Sequence, residues 1–138
     1  MKKLILTFVF ALTTIIGFAQ NSGTNITVTI DNIKNDNGKV LISLHTTDTF
    51  MKGKGLMNAQ SEIKDGKITV TFKDVEPGEY ALLAVHDENE NKRMDFRDNG
   101  MPLESYGASN NVMNFGPPQF EDAKFTTADK NLEMNIRF

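Results

Sequence analysis

The sequence predicts an all-β protein, an antiparallel Greek-key β-sandwich of about seven strands with one long irregular loop. Three observations indicate this class. Apolar residues fall two apart in several short stretches, turn-forming residues separate those stretches, and no helical period lasts longer than one turn. Short alternating strands joined by turns are typical of sandwiches, because each strand buries one of its two faces.

The first two predicted strands form a hairpin signal. From Asn25 onward, isoleucine and valine alternate with threonine as far as Ile30. The turn Asp36-Asn37-Gly38 tolerates the positive φ angles that tight hairpins need, and Lys39–His45 then resumes the alternation. The segment Thr46–Gln60 breaks it, so we expect a connection there.

The same kind of residue pattern predicts the remaining strands. Lys67–Lys73 alternates again, and Pro77 and Gly78 occupy the central positions of a type II turn. Tyr80–Val85 has no polar residue, which predicts a central strand covered on both faces. The chain closes with an alternating stretch, Leu132–Phe138, which predicts a last strand.

The N-terminus predicts export. Lys2 and Lys3 precede an apolar run, Leu4–Phe18, and small residues at Gly17 and Ala19 are typical of signal-peptide cleavage after Ala19. We therefore expect residues 1–19 to be a signal peptide and residues 20–138 to form a single β-sandwich domain, periplasmic or extracellular. No later stretch is apolar enough to span a bilayer, and there is no cysteine.

Charge argues against two classes of partner. Removing Lys2 and Lys3 from the 15 basic residues leaves 13 against 18 acidic ones, a net charge of −5. Nucleic acid and anionic membranes are poor partners for such a chain. The sequence leaves the oligomeric state open.

A spacing typical of calcium loops follows the central strand. Asp87, Asn89, Asn91 and Asp95 stand at positions one, three, five and nine of a loop. The main-chain carbonyl of Arg93 would serve at position seven. Asp98 falls at position twelve, where a longer glutamate is usual, and Lys92 stands where the turn prefers glycine. The sequence thus predicts a weak, stabilising calcium site; the alternative is a solvated turn whose side chains bond to nearby backbone amides.

Three functional hypotheses remain. The first is a non-catalytic binding or accessory module stabilised by calcium, with an unknown protein, small molecule or glycan as ligand. The second is a metal-dependent hydrolase that uses His45, His86 and Asp87, since two histidines and a carboxylate can hold a metal or exchange protons. The third is a structural cell-surface component. We favour the first, because no nucleophile elbow and no phosphate-binding glycine loop is present.

The long segment Asn99–Gln119 is the expected recognition surface. Long loops in compact domains are usually functional or disordered, and aromatic residues argue against disorder. Polar groups beside aromatics favour ligand binding. The candidate ligand-binding residues are Tyr106, Asn110, Asn111 and Phe115.

Several motifs resemble a known family. Motifs in the second half of the chain resemble the bacterial exported family called domain of unknown function 2141: the stretch HDENENKRMDF, then Gly100-Met101-Pro102, Glu104, Tyr106-Gly107, Ser109-Asn110-Asn111 and the GPPQFEDA stretch. The resemblance covers most of the chain after the signal, as far as Phe125, and implies no activity. The segment Phe72–Tyr80 is similar to the hairpin of carboxypeptidase-regulatory and transthyretin-like domains, which implies an immunoglobulin-like or transthyretin-like sandwich.

Overall fold

The computed structural model describes residues 23–138, so the predicted signal peptide, residues 1–19, lies outside the described residues. The described chain forms β1 (Thr24–Ile30), β2 (Lys39–His45), β3 (Met57–Glu62), β4 (Ile68–Val75), β5 (Gly78–Asp87), β6 (Tyr106–Ala108), β7 (Phe125–Thr127) and β8 (Leu132–Asn135). A 3-10 turn at Ser109–Asn111 and a one-turn helix, α1 (Phe120–Ala123), stand between β6 and β7. None of the helices described is long and apolar enough to cross a membrane.

The strands form two sheets that pack as a sandwich. The first sheet has the order β4-β1-β8, and the second has the order β3-β2-β5-β6, with β7 paired to the start of β5. Strand β5 returns beside β2 after the chain has passed through β3 and β4, which is a Greek-key connection spanning both sheets. The predicted fold class is confirmed.

The core lies between the inner faces of the two sheets. The alternating residues of β1, β2 and β5 are buried there with Phe72 of β4 and with Ile136, which follows β8. Alternation puts every second side chain on one face, so Thr27 and Thr29 in β1 and Lys73 in β4 lie on the outer faces. The packed inner faces therefore follow directly from the apolar pattern.

Strand β5 is covered on both faces, as its composition predicts. Leu82 and Ala84 point into the main core. On the outer face Ala81 packs with Phe50 and Ala123 in a smaller cluster, where the rings of Phe50 and Phe120 meet edge to face with centroids 5.6 Å apart. This second layer makes β5 a rigid base for the loop that leaves its end.

Two predicted turns are wrong. Strands β1 and β2 lie in different sheets, so Asp36-Asn37-Gly38 does not close a hairpin. Gly78 lacks the positive φ that the second central residue of a type II turn requires, and it begins β5.

Three details of the strands also differ from the sequence-based prediction. Strand β8 runs parallel to β1, because both strands start at the same end, where the Thr24 hydroxyl donates to the Ala128 carbonyl over 2.8 Å. Strand β3 lies partly in the segment predicted as a connection; it is an edge strand with a half-buried inner face, which requires fewer apolar residues. The last strand ends at Asn135 rather than at Phe138.

Candidate functional site

The predicted ion loop, Asp87–Asp98, begins on the last residue of β5. Asp87 stands opposite Lys39 of β2 on the outer face of the sheet, yet its side chain is buried by the loop. Its carboxylate accepts backbone N–H groups from Asn91 at 3.1 Å and from Lys92 at 2.8 Å. Asp87 thereby bends the loop back over the strand end.

Three of the other predicted ligands meet one another. The Asp95 carboxylate accepts amide N–H groups from Asn89 at 2.7 Å and from Asn91 at 2.8 Å. The side-chain oxygens of both asparagines accept backbone N–H groups two residues ahead, Asn89 from Asn91 and Asn91 from Arg93. These two Asx turns wind the backbone around the cluster, so the spacing seen in sequence does bring the side chains together.

Asp95 is held in its charged form. The amide hydrogen bonds from Asn89 and Asn91 lower the pKa of Asp95, and the Arg93 guanidinium, whose Nε lies 3.6 Å from Oδ1, lowers it further. An ionised carboxylate at the centre of the loop suits a cation. The Arg93 side chain competes for the same oxygens, whereas the sequence assigned Arg93 only a main-chain role.

Lys92 takes up the backbone geometry that the loop pattern reserves for glycine. Its φ is +63°, in the left-handed region that favours glycine. The tight turn therefore forms despite the lysine, and it aims the Lys92 N–H at Asp87. The substitution places strain in the backbone without abolishing the turn.

Glu104 is one of the residues that carry the family resemblance, but the sequence did not predict it as part of the ion loop. Its buried carboxylate accepts the backbone N–H of Glu88 and that of Asp95, each at 3.2 Å. It thus joins the second and ninth positions of the loop from outside the predicted twelve residues. The Leu103 N–H donates to the Asp95 carbonyl and closes a hairpin over Asp95–Leu103. Glu104 follows this hairpin as a single glutamate, which by itself is a weak signal in the sequence.

Asp98 stands apart from this cluster. It lies in the exposed tip of the same hairpin, and within residues 23–138 no hydrogen bond joins it to Asp87, Asn89, Asn91 or Asp95. Its role as a ligand stays a prediction, and Glu104 is the buried carboxylate nearer to the loop centre.

The oxygen donors fit a hard cation better than a transition metal. In the described part of the chain no group of three or more histidine, aspartate or glutamate side chains is arranged to hold a metal. A calcium ion here would depend on the Asn89 and Asn91 amides and on main-chain carbonyls beside Asp87 and Asp95. Calcium accepts that mixture of donors, whereas zinc does not.

A shared site of His45, His86 and Asp87 is wrong. His45 pairs with Ala81 and His86 pairs with Val40, so the two histidines stand at opposite ends of β2 and β5, about 17 Å apart at the usual rise per strand residue. His45 Nδ1 lies 3.0 Å from the Thr49 carbonyl. The sequence placed both histidines at strand ends correctly, but it could not tell that the ends are opposite.

His86 points inward, away from Asp87. Its Nε2 donates to the Asn37 carbonyl at 2.7 Å, and its ring stacks on Phe138 with centroids 6.4 Å apart and planes inclined by 6°. Its Nδ1 is buried without a hydrogen-bond partner in the described chain, with a Glu88 carboxylate oxygen 3.9 Å away. His86 therefore ties the β5 end to the C-terminal segment.

A groove of about 390 Å³ lies beside β6, and we call it the edge groove. The loop Val112–Pro118, which we call the strap, borders it. Its apolar lining comes from Tyr106, Ala108, Val112, Met113, Pro118 and Phe138. Met113 is 98% exposed and Phe115 is 112% exposed, which leaves two large apolar side chains of the strap in water.

The four predicted ligand-binding residues divide into two groups. Tyr106 and Asn111 line the edge groove, whereas Asn110 and Phe115 do not. The Asn110 amide donates to the carbonyls of Asp122 and Lys124, and the Asn111 side chain bonds to the backbone of Asn135 and Arg137. Both asparagines hold the strap's N-terminal end in place, and their direct contact with a ligand stays a prediction.

Ser109 is a further structural residue of this segment. Its buried hydroxyl accepts the Leu82 N–H at 2.9 Å and donates to the Ala123 carbonyl. It therefore joins β5 to α1, and the three polar residues 109–111 anchor the loop to three different elements.

Comparisons with known proteins give one family and one structure. A family model described as "Uncharacterized protein conserved in bacteria (DUF2141)" matches residues 28–135. Among solved structures, "Pilus-presented adhesin, Spy0125 (Cpa)" aligns at 14% identity and a TM-score of 0.29. That alignment covers 86% of this chain and only 27% of the adhesin, and it carries no argument. A search of curated proteins finds no match.

Proposed function

The chain belongs to the bacterial family DUF2141, and from its loop geometry we propose that it is an exported, calcium-stabilised β-sandwich that binds a partner or ligand without catalysing a reaction. One observation carries the calcium assignment. The side-chain amide nitrogens of Asn89 and Asn91 each lie 2.7–2.9 Å from the Asp95 carboxylate, beside the buried Asp87. An oxygen-rich loop on a rigid strand end is suited to a hard cation.

The affinity of this site belongs to the weak class. Asp87 and Asp95 supply two negative charges, Glu104 could supply a third, and Arg93 competes for Asp95. Extracellular calcium modules bind with dissociation constants of about 10⁻⁴–10⁻³ M. At a tenfold excess over such a constant, calcium adds about 1.4 kcal/mol to the free energy of unfolding.

Thermal melts with calcium and with a chelator test this proposal. We expect calcium to raise the melting temperature by roughly 4–8 °C, since about 1 kcal/mol shifts a domain of this size by roughly 4–5 °C. Asp95→Asn should remove most of this rise. Asp129→Asn is the matched control, because it deletes the same charge from an exposed position between β7 and β8, outside the loop, and it should keep the rise.

Asp87→Ala is the harsher variant, since it also deletes two acceptors for loop amides. It should lower stability even in chelator. A protein whose melting is indifferent to calcium and chelator would contradict the calcium part of the proposal. Equal losses in the two Asn variants would contradict the assignment of the residues.

Export is proposed from the N-terminal pattern. Lys2, Lys3 and the apolar run that ends near Ala19 favour secretion. Expression in a bacterium, followed by fractionation and N-terminal sequencing, should give a periplasmic or released chain beginning at Gln20. Recovery of an intact Met1 chain from the cytoplasm would contradict this.

Recognition is proposed for the edge groove and its strap. A groove of about 390 Å³ falls in the range of small-molecule sites. The exposed Met113 and Phe115 beside it are apolar surface that a ligand or partner could cover. These observations favour a binding module over a purely structural component.

A further inference from the structure

We propose that the edge groove binds an extended peptide segment of a partner protein, which adds to the second sheet as a strand beside β6. The proposal names the ligand class for the recognition function above and rests on it. In this mode of recognition, main-chain hydrogen bonds supply the affinity and the side chains of the peptide supply the selectivity.

The hydrogen-bond ladder between β5 and β6 decides which main-chain groups of β6 face outward. The His86 N–H donates to the Ser105 carbonyl at 2.8 Å, and two residues along β6, Gly107 pairs with Ala84. In an antiparallel ladder, residues that bond to the neighbouring strand alternate with residues whose main-chain groups point away from it. Tyr106 lies between the two bonded positions, so its N–H and its carbonyl point away from β5.

Three outward groups of β6 have no partner. By the same alternation the Ala108 N–H also points away from β5, and its carbonyl begins the 3-10 turn that follows. Within residues 23–138 no hydrogen bond reaches the Tyr106 N–H, the Tyr106 carbonyl or the Ala108 N–H. The strand, Tyr-Gly-Ala, has neither a charge nor a proline, which commonly protect an exposed edge. This edge can therefore accept another strand.

The edge groove lies alongside this open edge. All three residues of β6 line it. Its lining also includes Ala123 of α1, which packs on the outer face of β5, and Phe138, which packs against the main core between the sheets. A space bounded by residues from both faces of a sheet lies beside its edge strand. An added strand would run there, roughly 4.8 Å from β6.

The spacing of the free groups favours a peptide over other ligands. The N–H groups of Tyr106 and Ala108 are two strand residues apart, a repeat of roughly 6.7 Å, which is the repeat of an extended polypeptide. A hydrocarbon chain would bury these groups without partners, which is unfavourable. A ligand with one hydroxyl or carboxylate group would satisfy one of them and leave the others unpaired.

The charges at the groove favour an uncharged peptide segment. Asp122 lines the groove from α1 and Arg137 lines it from the C-terminal segment, so the lining side chains carry one charge of each sign. Asn114 and Gln119 add neutral amide groups to the lining, and the strap carries no charge. A ligand with a large charge of either sign would have no matching excess of charge here.

An NMR titration of the isotope-labelled protein with the peptide acetyl-Thr-Val-Thr-Val-Thr-Val-Thr-amide tests the proposal. We expect a dissociation constant of about 10⁻³ M, because each main-chain hydrogen bond contributes little net affinity in water. At about 5 mM peptide the Tyr106 and Ala108 amide resonances should shift, and their exchange with solvent should slow about fivefold. The control peptide has the same side chains but its three central amides are N-methylated, and it should bind at least tenfold more weakly.

Two variants of Tyr106 separate its main chain from its side chain. Tyr106→Pro deletes one outward N–H, and because that group takes no part in the β5–β6 ladder, the fold should survive. It should weaken peptide binding at least tenfold. Tyr106→Ala is the matched control, because it removes the same side chain and keeps the N–H, and it should weaken binding less than threefold. If Tyr106→Pro does not fold, the comparison of the two peptides on the native protein decides.

The outcomes separate strand addition from the wider recognition proposal. Equal binding of the two peptides, with shifts in the strap and unchanged exchange at Tyr106 and Ala108, would keep the groove as a recognition site and overturn strand addition. No response at about 5 mM peptide, or equal affinities of a folded Tyr106→Pro protein and Tyr106→Ala, would also overturn it. Shifts in β6 that depend on protein concentration without peptide would assign the edge to a second copy of this chain and overturn the peptide as its occupant.

Discussion

At the scale of single residues, Lys92 has an unfavourable backbone conformation. No described contact of its side chain offsets the free energy that this conformation costs. A left-handed φ costs an ordinary residue about 1–2 kcal/mol, whereas glycine adopts it freely. Lys92 accepts that φ because its N–H bonds to the buried Asp87 carboxylate. Asp87 therefore dictates the turn, and residue 92 follows.

Lys92→Gly should stabilise the protein by about 0.5–1 kcal/mol, after the extra entropy of glycine in the unfolded chain is deducted. Urea denaturation measures this. Lys92→Ala is the control, because it removes the ammonium group and keeps the strain, and it should change stability by less than about 0.5 kcal/mol. A gain in Lys92→Ala equal to that in Lys92→Gly would assign the effect to charge.

His45 makes stability depend on pH. Burial lowers the pKa of His45, and the hydrogen bond to the Thr49 carbonyl offsets this only in part. The folded state therefore binds the proton less readily than the unfolded state. The stability that neutral His45 contributes is present above pH 6.5 and is lost as the pH falls through the lowered folded value.

His45→Asn keeps a donor near the Thr49 carbonyl and does not titrate. We expect the melting temperature of the native protein to fall more steeply between pH 7 and pH 5 than that of the variant, as followed by circular dichroism. Parallel pH profiles would show that His45 contributes nothing in this range.

At the scale of elements, polar side chains replace missing strand pairing around β6 and β8. Asn111 offers its amide N–H to the Asn135 carbonyl and its oxygen to the Arg137 N–H, each at 2.8 Å. These are the two bonds that a neighbouring strand would have made. One side chain thereby protects the outer edge of the first sheet.

Asn111→Gly keeps the positive φ of 52° accessible and deletes both bonds. It should cost about 1–2 kcal/mol and increase amide exchange at Arg137. Asn114→Ala removes a single exposed contact with Asp122 and should cost less than about 0.5 kcal/mol. Similar losses in the two variants would argue against the edge-pairing role.

At the scale of the whole molecule, the two sheets come into close contact where β6 meets the C-terminal segment. A Cβ on Gly107 would lie 2.3 Å from the Arg137 carbonyl oxygen and 2.7 Å from Ile136 Cγ2. His86 and Phe138 stack at the same end of the sandwich. This contact closes the core and also forms one wall of the edge groove.

Gly107→Ala should force this edge apart and cost about 2–3 kcal/mol, as overpacking of a tight contact does. A thermal melt should show a drop of roughly 8–12 °C for a domain of this size. Ser105→Ala, two residues earlier, is the control and should change little. A Gly107→Ala protein with native stability would show that the sheets can separate at no cost.

Most elements could be predicted from the sequence, because alternation reports burial locally. The bounds of β2 were correct, and β1, β4 and β5 were correct to within a few residues. Strand β3 was not predicted, because Ser61 and the polar residues beside it obscure the alternation of apolar residues in this edge strand. The parallel pairing of β8 with β1 was not predicted, because the alternation of apolar residues contains no information about the direction of a neighbouring strand.

The candidate site divides in the same way. Spacing alone indicated Asp87, Asn89, Asn91 and Asp95, since the contacts among them join residues at most six apart in the chain. The contact of Glu104 with the loop and the existence of the edge groove could not be predicted from the sequence. Glu104 reaches the loop from sixteen residues beyond Glu88, and the groove needs β6, the strap and the β8 segment together.

The sequence by itself determined the β class, the alternating core and the loop spacing, because each depends on residues within about ten positions of one another. Only the tertiary structure decided the features that depend on pairing between strands far apart in the sequence. It separated His45 from His86, committed Asn110 and Asn111 to the backbone and brought Glu104 to the loop. Those contacts depend on which strands become neighbours, and local patterns do not contain that information.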